Sequence, residues 1–273
     1  MYSDLGRPPL SAMSLRRALI RPGGLWTNLD LRSTTVSTNA DAVAAAKSGA
    51  PEGLVVVAEE QTGGRGRLDR GWVSPPRAGL TFSLLLRPDG VPMHQWGWLP
   101  LLAGVALTRA IRRIGEVEAV LKWPNDLLIG PFRRKAAGLL AEVSGQAVIV
   151  GIGLNVTART EELPHTGATS LAVEKAACVD RDTLLRAILR EVAGDYELWR
   201  DSGGDPDGSG LRAVYAESCG TLGQHVTVEL PSGSVLVGEA VDVDGGGRLV
   251  VDPDGGGPPV AVAAGDVIHA RLN

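Results

Sequence analysis

The sequence predicts an α+β protein: a mixed β-sheet backed by helices, followed by a small C-terminal β-barrel. Three observations lead there. Stretches 95–114 and 183–200 repeat apolar residues at helical spacing, with Leu99, Leu102, Ala103, Ala106, Ala110 and Ile114 on one face of the first and Leu184, Leu185, Ile188, Leu189, Val192, Tyr196 and Trp199 on one face of the second. Short β-branched runs such as 54–60 and 147–155 lie before and between them. After a polar connector at 202–210 (SGGDPDGSG) the pattern changes to alternation with period two. A boundary after residue 218 follows, dividing the chain into 1–218 and 219–273.

Each element has a local reason. Residues 14–20 form a short opening helix, and 29–36 alternate as a strand. Ser37, Thr38 and Asn39 supply N-cap chemistry for a helix over 40–48, which Gly49 and Pro51 stop. Runs 54–60 and 80–87 are strands flanking a glycine- and arginine-rich loop. Pro100 suits the first position of the helix in 95–114, and Gly115 ends it. Two short strands, 120–123 and 127–129, surround Pro124. Segments 136–143 and 147–155 pair as a hairpin through Ser144-Gly145-Gln146. A last helix at 211–218 precedes four or five short strands, located at 226–230, 235–243, 249–251 and 260–262, with turns at Ser232-Gly233 and 245–247.

Bulk properties exclude several classes. A net charge of −4 and a pI near 5.6 argue against general affinity for nucleic acid, which needs a basic surface. Cys178 and Cys219 fit neither a metal spacing nor a disulfide framework, in keeping with a reducing cytoplasm. The first ten residues lack the apolar core of a signal peptide, and no run approaches a membrane span. Lysine is scarce: Lys47, Lys122, Lys135 and Lys175 are the four among 27 basic residues. Neither a P-loop nor a Ser/His/Asp or Cys/His arrangement stands out, and Gly151-Ile152-Gly153 ends a strand rather than opening a helix, a weak dinucleotide signal.

Four segments carry the chemistry. They are Ser37-Thr38-Asn39; residues 61–72, with Gln61, Gly63, Gly64, Arg65, Gly66, Arg67, Arg70, Gly71 and Trp72; Lys122-Trp123-Pro124-Asn125-Asp126 with Lys135-Ala136-Ala137-Gly138; and Gly151-Ile152-Gly153-Leu154-Asn155. Glycines let main-chain N–H groups approach an anion, and arginines present forked donors that match carboxylate and phosphate. Singly, each segment has a plainer reading: a helix cap, a solvated basic or RGG-like loop, a Pro-Asn-Asp turn, a strand-edge lysine.

Together, in order and spacing, they resemble the biotin protein ligases, which are similar in fold to the lipoate ligases. The family pattern is S-T-N, Q-x-x-G-R-G-R with W-x-S-P, K-W-P-N-D, K-x-x-G and G-x-G-x-N, and the match spans about residues 27–160. The resemblance implies the class II synthetase-like catalytic fold with an SH3-like C-terminal domain. About 25 residues precede the first core strand, too few for the winged-helix DNA-binding domain of some members, so a ligase without repressor function or DNA partner is implied. Val36 stands where an acidic residue is often found before Ser37.

The resemblance further implies ATP and Mg²⁺ as cofactors, biotin as substrate, and as partner the biotin carboxyl carrier domain of acetyl-CoA carboxylase or a related acyl-CoA carboxylase, in the cytoplasm and without a membrane partner. Lys135 and Arg67 are the implied catalytic residues. Biotin is assigned to Ser37, Thr38, Asn39, Gln61, Gly64, Arg65, Gly66, Arg67, Lys135 and Gly138. ATP is assigned to Arg65, Arg67, Trp72, Asn125, Lys135 and Asn155, and Asp126 is a candidate metal ligand. Lys122 or Asp126 serves as base toward the acceptor lysine; the sequence does not choose. Rival readings are a lipoate or octanoate ligase, a non-catalytic biotin-binding regulator and a glycine-arginine RNA-binding module.

Overall fold

The β-branched run near residue 55 becomes β2 (Leu54–Ala58), a strand buried along its whole length because both of its faces are covered. The computed structural model describes residues 6–67, 70–230, 233–263 and 266–269. Around β2 lie β1 (Asn28–Arg32), β3 (Gly79–Leu86), β4 (Ala119–Lys122), β5 (Asp126–Ile129), β6 (Arg134–Ser144) and β7 (Ala147–Asn155). Among the described residues they form one seven-stranded sheet in the order β1-β2-β3-β7-β6-β5-β4. β1 and β2 are parallel and the other neighbours antiparallel, so the sheet is mixed.

Side-chain alternation gives the sheet two unlike faces. Leu80, Phe82, Leu84, Val148, Val150 and Ile152 point to one face. There α3 (Trp98–Ala110) and α4 (Arg181–Asp201) close the main core, joined by α1 (Ala12–Leu19) and α5 (Leu211–Ser218). The opposite face is covered by α2 (Thr38–Lys47), whose Ala42 and Ala46 pack on Leu54, Val56, Leu85, Ala147 and Ile149. Ten residues of helix cover only one end of that face. Its other end, at Thr81, Gly138, Gly151 and Gly153, lines a cavity.

Several element boundaries depart from local expectation, and three of them show why. The strand expected over 29–36 ends at Arg32, because Ser37 turns the chain to cap α2, its Oγ accepting from Ala40 N. The helix expected over 95–114 divides into a short turn at Met93–Gln95, α3 from Trp98, and a wider π-type turn at Ile111–Gly115. Pro100 is the third helical residue rather than the first; its missing N–H is harmless there too, since the first four have no partner within a helix. α4 starts at Arg181, where Asp180 Oδ1 accepts from Thr183 N at 2.7 Å.

The tail forms β8 (His225–Glu229), β9 (Val235–Val243), β10 (Leu249–Pro253), β11 (Val260–Val262) and β12 (Asp266–His269), an antiparallel sheet in the order β11-β10-β9-β8-β12. β12 is the fifth strand, which the pattern allowed but did not locate. Ser232 of the expected Ser232-Gly233 turn lies outside the described residues, as do Leu68 and Asp69 of the 61–72 loop. The turn between β9 and β10 meets the main domain through two tryptophans. Trp98 Nε1 donates to Gly245 O at 2.9 Å, and Trp123 Nε1 donates to Gly247 O at 3.1 Å. Trp123 N also donates to Thr221 Oγ1 at 3.0 Å.

Two buried polar contacts fasten α4 to the sheet. Arg181 pairs with Glu59 at 2.6 Å and donates to Pro8 O. Tyr196 OH donates to Glu52 at 2.6 Å; burial and then this carboxylate push the phenol well above its ordinary range and keep it a donor. Among the described residues no helix is long and apolar enough to cross a membrane.

Candidate active site

The uncovered end of the sheet and the loops around it enclose a cavity of about 990 Å³. One part of its wall is uncharged. Ser37 and Thr38 stand at the start of α2 and Gln61 follows β2, while Ser83, a polar break in the apolar run of β3, is buried behind that wall. Gln61 Oε1 accepts from Thr38 N at 2.8 Å and from Thr38 Oγ1 at 3.0 Å. Ser83 Oγ lies 2.8 Å from Thr38 Oγ1 and 2.6 Å from Asn39 Oδ1. Such a preset neutral network suits a polar, uncharged ligand group.

Another part is cationic. Arg65, Arg67, Arg70, Lys122 and Lys135 all reach the cavity wall. Lys135 Nζ sits 2.7 Å from Asp126 Oδ1, and Arg67 Nη1 donates to Asn125 Oδ1 at 3.3 Å. Two adjacent residues of the Lys-Trp-Pro-Asn-Asp run thus engage the two cations expected to act on the reaction. A bulge opposite Leu127 and Leu128 offsets β6 next to Lys135 and sets where this side chain emerges. Arg65 lies 3.6 Å from Glu142, a longer and more exposed pair.

Trp72 joins the two parts. Its ring rests on Gly153 and Gly138, where β-carbons would stand 2.5 Å from Trp72 Nε1 and 3.4 Å from Trp72 Cζ3. The glycines of Gly151-x-Gly153 therefore make room for protein: Asn39 lies over Gly151, and Trp72 over Gly153. Gly64 behaves alike. A β-carbon there would crowd Gln61 Nε2 at 2.6 Å, and Gly64 O accepts from Trp72 N at 2.9 Å, closing the loop on itself. Gly64 does not reach the cavity wall, whereas Gly66 and Gly138 do.

The asparagines reach the cavity with their amides already engaged. Asn39 Nδ2 donates to Glu142 Oε1 at 2.8 Å, Asn125 Nδ2 to Leu139 O at 3.1 Å, and Asn155 Nδ2 to Thr169 O at 3.0 Å. Asn155 thereby holds the segment that includes Ala168 against the cavity. Among the described residues no group of three or more His, Cys, Asp or Glu side chains gathers to hold a metal, and Asp126 faces Lys135. Sequence reasoning passed over Ser83, Thr81 and the wall at 164–168. The first two were detectable as polar residues on one face of an otherwise apolar strand; the last carries no local signal.

Comparison with known proteins decides the family. Residues 32–156 match the model of the Biotin/lipoate A/B protein ligase family, and residues 221–270 match the Biotin protein ligase C terminal domain. Over 272 residues the chain is 44% identical to the biotin--[acetyl-CoA-carboxylase] ligase of Mycobacterium tuberculosis, with 98% of each chain covered. The chain belongs to the biotin/lipoate A/B protein ligase family. Within that family it is also 32% identical to the bifunctional ligase/repressor BirA of Bacillus spizizenii, covering 81% of this chain and 68% of that one. The biotin protein ligase from Aquifex aeolicus, solved in complex with biotin and ATP, superposes with a TM-score of 0.74 at 27% identity, over 90% of this chain and 100% of that one.

For a ligase of this family the arginine-rich loop makes a direct prediction. Its contacts to Asn125 and Glu142 are long, 3.3 Å from Arg67 and 3.6 Å from Arg65, and its arginines repel one another until an anion arrives. Trypsin should cut at Arg65, Arg67 or Arg70 in the free protein, and biotin with ATP should slow cleavage severalfold. Equal rates with and without both ligands would mean that the loop does not respond to them.

Proposed function

We propose that this chain activates biotin with ATP and transfers it to a carrier protein. In the first step a biotin carboxylate oxygen attacks the α-phosphorus of ATP, forming biotinyl-5′-AMP and releasing pyrophosphate. In the second, the ε-amine of a carrier lysine attacks the acyl carbon, forming an amide and releasing AMP and a proton. The supporting observation is the juxtaposition of the neutral pair Thr38 and Gln61, backed by the buried Ser83, with the cations Arg67 and Lys135 in one cavity.

Two anions repel in the first step, and the cations offset that repulsion and the charge that builds at phosphorus. Lys135 exchanges Asp126 for phosphate oxygens, and Arg67 exchanges Asn125 for the anion of the intermediate. Arg65 and Gly66 border the same anion. Ser37, Thr38 and Gln61 hydrogen-bond the ureido head, and Asn39 holds Ser83, which in turn positions the Thr38 hydroxyl. Gly138 and Gly64 act through the packing of Trp72, which covers the nucleotide beside Asn125 and Asn155. Mg²⁺, when bound, screens the phosphates. The donor set suits a cation carried by phosphate and water, since Asp126 already has Lys135 beside it. Once Lys135 turns to phosphate, Asp126 is free to accept the proton that the attacking amine loses as the amide forms.

The reading assigns residues 1–218 to catalysis and 219–273 to a C-terminal domain, with the carrier domain of acetyl-CoA carboxylase or a related acyl-CoA carboxylase as partner and the cytoplasm as location. The test is biotin-dependent ATP–pyrophosphate exchange without any carrier. Background exchange with biotin, but stimulation by lipoate or octanoate, would transfer the assignment to the rival acids.

A further inference from the structure

The cavity has an outer rim that a small ligand does not explain. Phe132 and Val73 both border it, yet they are 80% and 75% exposed. Phe132 sits at the tip of the β5–β6 turn, and that tip is held firmly. Arg133 N donates to Gly130 O at 3.0 Å, Gly130 N donates to Glu118 O at 3.0 Å, and Arg134 pairs with the buried carboxylate of Glu174 at 2.6 Å. Arg133 adopts a left-handed backbone with φ of 46°, which a side-chain-bearing residue takes up at a cost. The strained, fixed turn displays a phenyl ring and a guanidinium, exposed and without an ion-pair partner among the described residues, at the mouth of the cavity.

We propose that Phe132 and Arg133 form the docking contact for the carrier domain, on a carrier surface that bears an apolar side chain and carboxylates beside its acceptor lysine. The inference rests on the biotin-transfer reading above and identifies how that partner is seated. Charge complementarity selects the occupant: the exposed Arg133 stands at the mouth, so an acidic surface is drawn there and a basic one is repelled. Phe132 supplies a desolvated aromatic anchor of the kind that dominates small interfaces. The acceptor amine then reaches the acyl carbon from the side on which Lys135 emerges, three residues along the chain from Phe132.

The experiment compares wild type, Phe132→Ala and Arg133→Glu in three assays. ATP–pyrophosphate exchange needs no carrier. Trapping of biotinyl-AMP by hydroxylamine needs an amine but no docking. Biotin transfer to purified apo carrier domain needs both. Each variant should raise KM for the carrier by about tenfold or more while exchange and hydroxamate formation stay near wild type. Raising ionic strength should weaken carrier use by wild type more than by Arg133→Glu. A carrier KM near that of wild type in both variants would overturn the proposal, as would a raised KM for ATP in exchange, which would make Phe132 a nucleotide contact. Absent exchange in wild type would instead defeat the biotin-activation reading itself.

Discussion

Lys135→Ala is expected to slow biotinyl-AMP formation by roughly two orders of magnitude or more, the scale at which one preorganised charge acts on a transition state. Its ammonium is within 2.7 Å of Asp126 and adjoins Gly138 and Trp72, so it is aimed before substrate arrives. Arg67→Ala is expected to fail differently. Arg67 lies in the loop and contacts Asn125 at 3.3 Å, so its loss should weaken retention of biotin and of the intermediate. Released biotinyl-AMP would then label bystander lysines diffusely. Single-turnover formation of the adenylate, measured beside its escape from the enzyme, separates the two. Equal effects on escape would contradict this division of roles.

Gly153→Ala is expected to be nearly as damaging, although it adds one methyl group. That carbon would lie 2.5 Å from Trp72 Nε1, with the strand backbone pinned by β3 on one side and β6 on the other. The strand cannot give, so the indole must leave the floor of the cavity. Displacing the surface that joins the neutral and cationic walls misaligns the two reacting anions, and a displacement near 1 Å costs about 100-fold in rate. The melting temperature should fall little, because Trp72 is on a surface loop. Exchange kinetics near wild type with an unchanged melting temperature would show that the ring is dispensable.

Much of this site is legible in the order of amino acids. The four segments stand out as chemistry-bearing because each breaks a local rule: glycines beside arginines, scarce lysines close together, and a Pro-Asn-Asp run between strands. Helices α3, α4 and α5 and strands β2, β3, β7 and β9 are visible because their periodicity is local. Less visible is what the glycines are for. The sequence suggests that Gly64 lets backbone close on a ligand, whereas in the fold it makes room for Gln61, just as Gly151 and Gly153 make room for Asn39 and Trp72. A glycine reports a missing side chain and is silent about which neighbour takes the space.

The sequence by itself determined the order of elements and the change from a helix-and-sheet part to a small C-terminal sheet, because capping and periodicity are properties of neighbours along the chain. Tertiary structure decided the rest. It brought Arg67 to Asn125 across 58 positions, Asn39 to Glu142 across 103, and Trp123 to the turn at Gly247 across 124. It also settled that α2 covers only part of one sheet face, leaving the cavity. Period-two alternation says which residues of a strand share a face. It does not say which distant strand lies beside it, in what register, or which helix comes to cover it; those follow from burying apolar area contributed by the whole chain.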